Sequence, residues 1–429
     1  MKTSSLTTLI IVTTLAVSTY AQTYTLKSFL VKTIEKSRSI EVENANLKKL
    51  DDSVDGQRSG FLPDVNATVQ YTTVGNQQSQ TPTYNQAING TSTKINLSQN
   101  LFNGLKDLNN FEAAKHSRDA QVYKLQEMRK SETESALSLF FKLLQYQKDI
   151  ENQKQEILLY EKNLVDLKMR VQSGSARQNE VINLEATIAN SRIDLASSEN
   201  SLKLAQAEAA AVLRAEDSNA VSVSLKKFSF SYVQTKSLIA KMDPNTRAEL
   251  KSLSATVQSK ENNIRVQKGS YSPSLDLSGS YLVNSSDTNT NQNTYTAGVV
   301  LTIPFPVSVK KSSELSKARA EKAIAEIELE KKKDDLQKGR VQLIQNLQNN
   351  VNQIELLKNA KALNKSNVDS LGRDHRSGLA SYSDVLNASI TYQKTLLKYD
   401  RAVLDFELNC YHALLWSSDV ESIISGIED

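Results

Sequence analysis

GFLPDVNATVQYT, residues 60–72, and SPSLDLSGSYLV, residues 272–283, decide how this chain is read. In the first, Val65, Ala67, Val69 and Tyr71 alternate with Asp64, Asn66, Thr68 and Gln70. In the second, Leu275, Leu277, Tyr281 and Val283 alternate with Asp276, Ser278 and Ser280. Strict alternation gives a β-strand one apolar and one polar face. Each stretch is led by a proline (Pro63, Pro273) and followed by an Asn/Ser/Thr-rich tract, roughly 74–92 and 284–294. A second strand comes after each tract. TKINLSQNLF sets Ile95, Leu97 and Leu101 against Lys94, Asn96, Ser98 and Asn100, and YTAGVVLTIPF carries Val299 and Leu301. Strands are therefore expected at 62–73, 93–102, 273–283 and 294–305.

The same order of parts occurs twice. Pro63 matches Pro273 at an offset of 210, Leu97 matches Leu301 at 204, and Gly174 matches Gly378 again at 204. The difference of six falls in the polar tract, where a change of loop length costs least. An offset shared by strand and helix marks an internal duplication.

Around the strands the chain reads as long helices. Among 429 residues there are only 13 Gly and 6 Pro, and residues 105–173 contain neither. A compact α/β enzyme needs turns far more often than that. Helices are expected over 24–58, 105–172, 176–214, 245–269, 307–372 and 381–415. The stretch 105–172 would be ~100 Å long at 1.5 Å per residue. Val181, Ile188, Leu195, Leu202 and Ala209 are heptad-spaced, as are Val385, Tyr392, Tyr399 and Phe406. Such columns are coiled-coil seams. In each half, two shorter helices placed end to end nearly match one long helix. Segments 216–243 and 417–429 are left over and would form a girdle near the middle and a tail.

Lys2, the apolar run LTTLIIVTTLAV (6–17) and a small residue at Ala21 read as a secretory signal peptide, 1–21. The mature chain would start at Gln22, and no later stretch reaches the ~20 apolar residues of a membrane helix. The chain would therefore enter a membrane only as β-strands. A first repeat over 22–215, a linker over 216–243, a second repeat over 244–416 and a tail over 417–429 follow from this order.

Composition narrows the function. The net charge of +4 is not the clustered basic balance of a nucleic-acid binder, so no nucleic acid is expected. Cys410 is the single cysteine, and His116, His375 and His412 are scattered. No metal site, cofactor motif or nucleophile–base–acid set is expected, and no enzyme. Cys410 sits in an apolar helical stretch and reads as a buried thiol.

Each strand has about the ten residues that cross an outer membrane when tilted. Alternation then fits lipid on one side and water on the other. Val65, Val69, Ile95, Leu97, Leu275, Leu277, Val299 and Leu301 are the expected lipid-facing set. Four strands cannot close a barrel, since about eight is the smallest workable number. Three chains would supply twelve, an even count as is normal for such barrels. A secreted coiled-coil protein without a barrel is the main alternative, but it leaves the paired alternating strands unexplained. A periplasmic adaptor is another, but adaptors carry one hairpin flanked by Gly-rich β-domains.

The Pro-led strands, the strand-to-helix step LSQNLFNG and the two helical tips RVQSGSARQNEVINLEA and DHRSGLASYSDVLNASITYQ together resemble the TolC family of outer-membrane efflux proteins. The resemblance spans about 24–416. It implies a mainly α fold in which a homotrimer joins a twelve-stranded barrel in outer-membrane lipid to a periplasmic helical tunnel. It implies a Gram-negative cell, and docking on a periplasmic adaptor and an inner-membrane transporter, for efflux or type I secretion. The docking tips would carry Gly174, Glu180, Gly378 and His375. The family's entrance is often narrowed by acidic residues on the last helix. Asp384 stands at the first such position, and Asn387 stands at the second in place of an acid. Ala380 stands where an arginine helps lock the entrance in the best-known member. His375 and Glu180 are candidates for a substitute link, although solvated surface positions account for both more simply.

Overall fold

The computed structural model describes residues 22–74, 88–215, 221–225, 230, 232–286, 292–305 and 309–427. The signal-peptide segment, parts of both polar tracts and Pro306 lie outside them. The elements run β1 (Gln22–Thr25), α1 (Leu26–Lys36), α2 (Arg38–Arg58), a 3-10 turn (Ser59–Phe61), β2 (Asp64–Val74), β3 (Ile88–Phe102), α3 (Lys106–Gln172) and α4 (Gln178–Leu213). They continue with β4 (Val221–Ser224), α5 (Tyr232–Lys241), a 3-10 turn (Pro244–Thr246), α6 (Ala248–Gly269), β5 (Ser274–Ser286) and β6 (Gln292–Thr302). The last are α7 (Val309–Arg376), α8 (Tyr382–Ser417) and α9 (Val420–Gly426). The fold is mainly helical, with α3 and α7 at 67 and 68 residues.

Two expectations change in detail. The helix expected over 24–58 is a short strand and two helices. Ser37 takes ψ of 121° and interrupts the helix, and Thr25 caps α1 by accepting the Ser28 amide at 3.3 Å. Residues 22–25 pair in parallel with β4, from Gln22↔Val221 to Thr25↔Ser224. The strands also reach into the polar tracts. β3 begins at Ile88, and Asn89, Gly90, Thr91 and Ser92 pair with Thr73, Thr72, Tyr71 and Gln70. Backbone pairing needs no apolar side chain, so a pattern read on hydrophobicity stops too early.

The sequence repeats are not the compact units of the fold. One unit comprises Met1–Ser37, Glu132–Ala240 and Ile344–Asp429, and the other Arg38–Ser131 and Lys241–Leu343. Each draws on both repeats, and α3 and α7 contribute to both.

The first unit holds an aromatic-rich core from α1, α3, α4, β4, α8 and α9. Phe29 stacks edge-on against Phe140 at 5.6 Å, Phe140 against Phe141 at 5.8 Å, and Phe230 against Tyr411 at 5.0 Å. Leu137, Leu143, Ala209 and Leu415 are fully buried among them. The heptad column of α4 faces inward: Val181, Leu184, Ile188, Ala205 and Ala209 are buried, and Ser191 and Ser198 lie half-buried between them. Burial pushes the Cys410 thiol up to about 12, as a structural rather than reactive cysteine requires.

The second unit carries a four-stranded antiparallel sheet in the order β2-β3-β5-β6. Beside it, α3 and α6 approach through small residues. Ser259 Oγ donates to the Ala113 carbonyl at 2.9 Å, and Ser252 Oγ donates to that of Ala120 at 2.8 Å. Glu43 of α2 is buried, and it accepts from Gln121 at 2.5 Å and from Lys124 at 3.1 Å. Those donors hold its carboxyl below the usual range.

Candidate functional site: hairpin tips and amphipathic sheet

The two tips, both in the first unit, are built from the same backbone device. Just past the end of α3 stands Gly174, with φ of +73°, and just past the end of α7 stands Gly378, with φ of +76°. The Gly174 amide donates to the Val171 carbonyl at 3.0 Å, and the Ser175 amide to that of Arg170 at 2.8 Å. The Gly378 amide donates to His375 at 3.1 Å, and the Leu379 amide to Asp374 at 2.8 Å. This is the Schellman pattern, which favours glycine because the left-handed conformation penalises a Cβ. The 204-residue repeat thus holds down to single hydrogen bonds.

The starts of the returning helices differ. Ser381 caps α8: its Oγ accepts the Asp384 amide at 3.2 Å, and Asp384 Oδ2 accepts the Ser381 amide at 3.0 Å and hydroxyl at 2.7 Å. The Ser381 donors hold the Asp384 carboxyl below its ordinary range. At α4 the capping position is Arg177, which supplies no side-chain cap. Among the described residues, Glu180 makes no side-chain hydrogen bond or ion pair. Asp384 and Asn387 are exposed and one turn apart on α8.

His375 does not link to Glu180. Its Nδ1 lies 3.0 Å from the Ala380 carbonyl, and its Nε2 lies 3.3 Å from Arg170 Nη1. A carbonyl only accepts, so Nδ1 carries the proton, and Nε2 is left to accept from the guanidinium. The ring also meets Tyr382 edge-on at 5.6 Å. Arg170 lies on the first hairpin and His375 on the second, so this contact ties the two together. Beneath it Tyr160, Leu167, Val181, Leu184, Ile188, Tyr382 and Leu386 form a buried seam. Burial pushes the Tyr382 phenol up to about 12, against a hydrogen bond from Asn163. Arg170, Ser381 and Tyr382 go unnoticed in a reading of the sequence as ring-forming acids. The Ser-x-x-Asp spacing, a capping-box signature, is the signal that finds Ser381.

In the second unit the strand register settles which side chains share a face. Val65 pairs with Leu97, Ala67 with Ile95, and Ile95 in turn with Tyr281. Leu277 pairs with Val299 and Leu275 with Leu301. Directly opposed residues point the same way. All eight residues expected to face lipid therefore lie on one face of the sheet. It is exposed: Val69 is 69%, Val65 61% and Leu301 60% accessible. A bulge between Asn100 and Phe102 brings Phe102 opposite Leu275. The other face is a polar ladder, with Asn96 donating to Asn66 at 2.9 Å, Asn100 to Asp276 at 2.6 Å, and Ser280 meeting Thr296 at 2.7 Å.

Among the described residues no group of three His, Cys, Asp or Glu is placed to hold a metal ion, and no helix is long and apolar enough to cross a membrane.

A chain of this build falls in the class of duplicated, mainly helical proteins that carry an amphipathic four-stranded sheet. The family of outer membrane efflux proteins matches it twice, over residues 29–213 and 245–407, and the chain belongs to that family. Solved structures share the fold. CusC is 16% identical, with 91% of each chain covered and a TM-score of 0.76. VceC of Vibrio cholerae is 16% identical, covering 91% of this chain and 95% of its own, at 0.75. The CmeC outer membrane channel of Campylobacter jejuni is 15% identical, covering 93% and 88%, at 0.74. No curated protein sequence matches.

Proposed function

We propose that the chain is the outer-membrane channel subunit of an export machine, working as a homotrimer. Three copies of the β2-β3-β5-β6 sheet close a twelve-stranded barrel in outer-membrane lipid, and the long helices form a duct in the periplasm of a Gram-negative cell. One observation carries this reading: the sheet exposes a continuous apolar face, backs it with a polar one, and leaves β2 and β6 as open edges. An exposed apolar face of that kind calls for lipid or a partner, and open edges call for other strands. The duct is passive, without chemistry of its own. A periplasmic adaptor docks at the tips around Gly174, Glu180, His375 and Gly378, and an inner-membrane transporter drives transport for efflux or type I secretion. Asp384 and Asn387 line the entrance as rings of three.

The test is the mass of the detergent-solubilised protein by native mass spectrometry or light scattering. A trimer with β-signal is expected. A monodisperse monomer or dimer would sink the barrel.

A further inference from the structure

Three helices of the second unit meet at one short turn just below the sheet. Gly269 closes α6, and a Cβ there would lie 2.5 Å from the Gly104 carbonyl and 2.8 Å from Cγ of Lys106. The stem of Lys106, from α3, thus lies along the turn that Lys268 begins. Lys311, from α7, reaches the same turn: its Nζ donates to the Ser270 carbonyl at 2.7 Å and stands 5.8 Å from the Tyr271 ring. Lys310 precedes Lys311 in the first turn of α7. Several other cations of α6 and α7 have a carboxylate partner, Lys260 in Glu321 at 2.8 Å, Arg265 in Glu261 at 3.2 Å and Lys322 in Glu261 at 3.1 Å. Among the described residues, Lys106, Lys268 and Lys310 have no carboxylate partner. Asp107 and Glu314 form no ion pair with them among the described residues, and Asp276 is held by Asn100 and Ser274 on the polar face of the sheet.

The turn runs through Pro273 into β5, so it sits at the helix end of the strands. Exposed apolar residues cluster at that same end. Phe305 and Val309 are each 85% accessible, and Ile303 is 62%. Ile303 and Phe305 follow β6 along the chain, and Val309 opens α7 next to Lys310 and Lys311. Ammonium groups without counter-ions beside an apolar edge match one chemistry: a phosphate headgroup with acyl chains attached.

We propose that the Gly269–Tyr271 turn, with Lys106, Lys268, Lys310 and Lys311, is a binding site for an anionic phospholipid. The headgroup phosphate takes the ammonium groups, and the acyl chains lie against Ile303, Phe305 and Val309. The proposal rests on the sheet lying in a membrane. The experiment uses the full-length protein in vesicles of phosphatidylcholine mixed with phosphatidylglycerol, followed by native mass spectrometry of the lipids retained after extraction. The variant is Lys106→Gln/Lys268→Gln/Lys310→Gln, which leaves the Lys311–Ser270 contact intact, with the matching triple Arg variant as a control for folding. Wild type and the Arg variant should retain phosphatidylglycerol over phosphatidylcholine by about tenfold or more, and the Gln variant should lose that preference. Equal retention of both lipids by wild type, or an unchanged preference in the Gln variant, overturns the site. Displacement of the lipid by millimolar inorganic phosphate would show a bare anion site and overturn it too. A protein that does not float with these vesicles overturns the membrane reading itself, and the lipid site with it.

Discussion

Gly104 and Gly269 come from different repeats and touch backbone to backbone. Gly104 has φ of +71°, and a Cβ on it would lie 2.4 Å from the Gly269 carbonyl. Gly269→Ala should therefore destabilise the protein by about 1–3 kcal/mol, because the obstacle is backbone. Gly298→Ala, with nothing within 4 Å, should stay within about 0.5 kcal/mol. Thermal unfolding followed by circular dichroism compares them. Glu43 gives a pH dependence of definite sign. Its folded pKa is depressed, so its contribution is present above the ordinary carboxylate range, near 4.3, and is lost as pH falls through the folded value. Wild type should lose stability on acidification more steeply than Glu43→Gln in melting curves taken between neutral pH and roughly pH 3. Asp384 has a structural role already, as the acid of a capping box. If three copies also ring a narrow water-filled entrance, they focus negative potential there. Planar-bilayer recordings should then show cation selectivity and multivalent-cation block in wild type and Glu180→Ala, and the loss of both in Asp384→Ala. Unchanged selectivity in Asp384→Ala would leave only the cap. The tip glycines are legible in the sequence, because a Gly between two helical patterns has one common use. The Gly104–Gly269 contact and the Arg170–His375 bond are not, because each joins residues more than 160 positions apart.

At the scale of elements, periodicity carries most of the information. Heptad columns locate α4 and α8, and alternation locates β2, β3, β5 and β6 with their apolar residues on one shared face. It fails for β1 and β4, four residues each and paired across nearly 200 positions. Four residues are too few for a period-2 pattern to stand out, and parallel partners leave no hairpin turn between them. The difference between the two sheet faces is testable by charge. Val69 lies on the exposed apolar face and Thr68 on the polar one. Val69→Arg should lower barrel stability by about 2–4 kcal/mol if it lies near mid-membrane. Thr68→Arg should insert normally and change conductance instead. Membrane-insertion assays of both variants decide the matter, and equal tolerance would mean that the strands do not span a bilayer.

For the molecule as a whole, the informative fact is that neither compact unit belongs to one repeat. Residues 22–243 and 244–429, expressed separately, should each stay unfolded to proteolysis and circular dichroism, and should recover structure only when combined. Two fragments that fold alone would contradict the interleaving. The sequence shows the duplication but hides the interleaving, since a repeat pattern reports what is copied and not what packs against what. The seam between β3 and β5 extends this to time. Ile95 pairs with Tyr281, so the central ladder joins residues 186 positions apart. At about 5–20 residues per second, a chain made from its N-terminus waits roughly 10–40 s after Ile95 emerges before Tyr281 exists to meet it. During that interval the β2–β3 hairpin is an adhesive edge with an apolar flank, and contacts this distant close slowly even when both partners are present. β3 is thus the segment that a chaperone would have to shield until β5 has followed it.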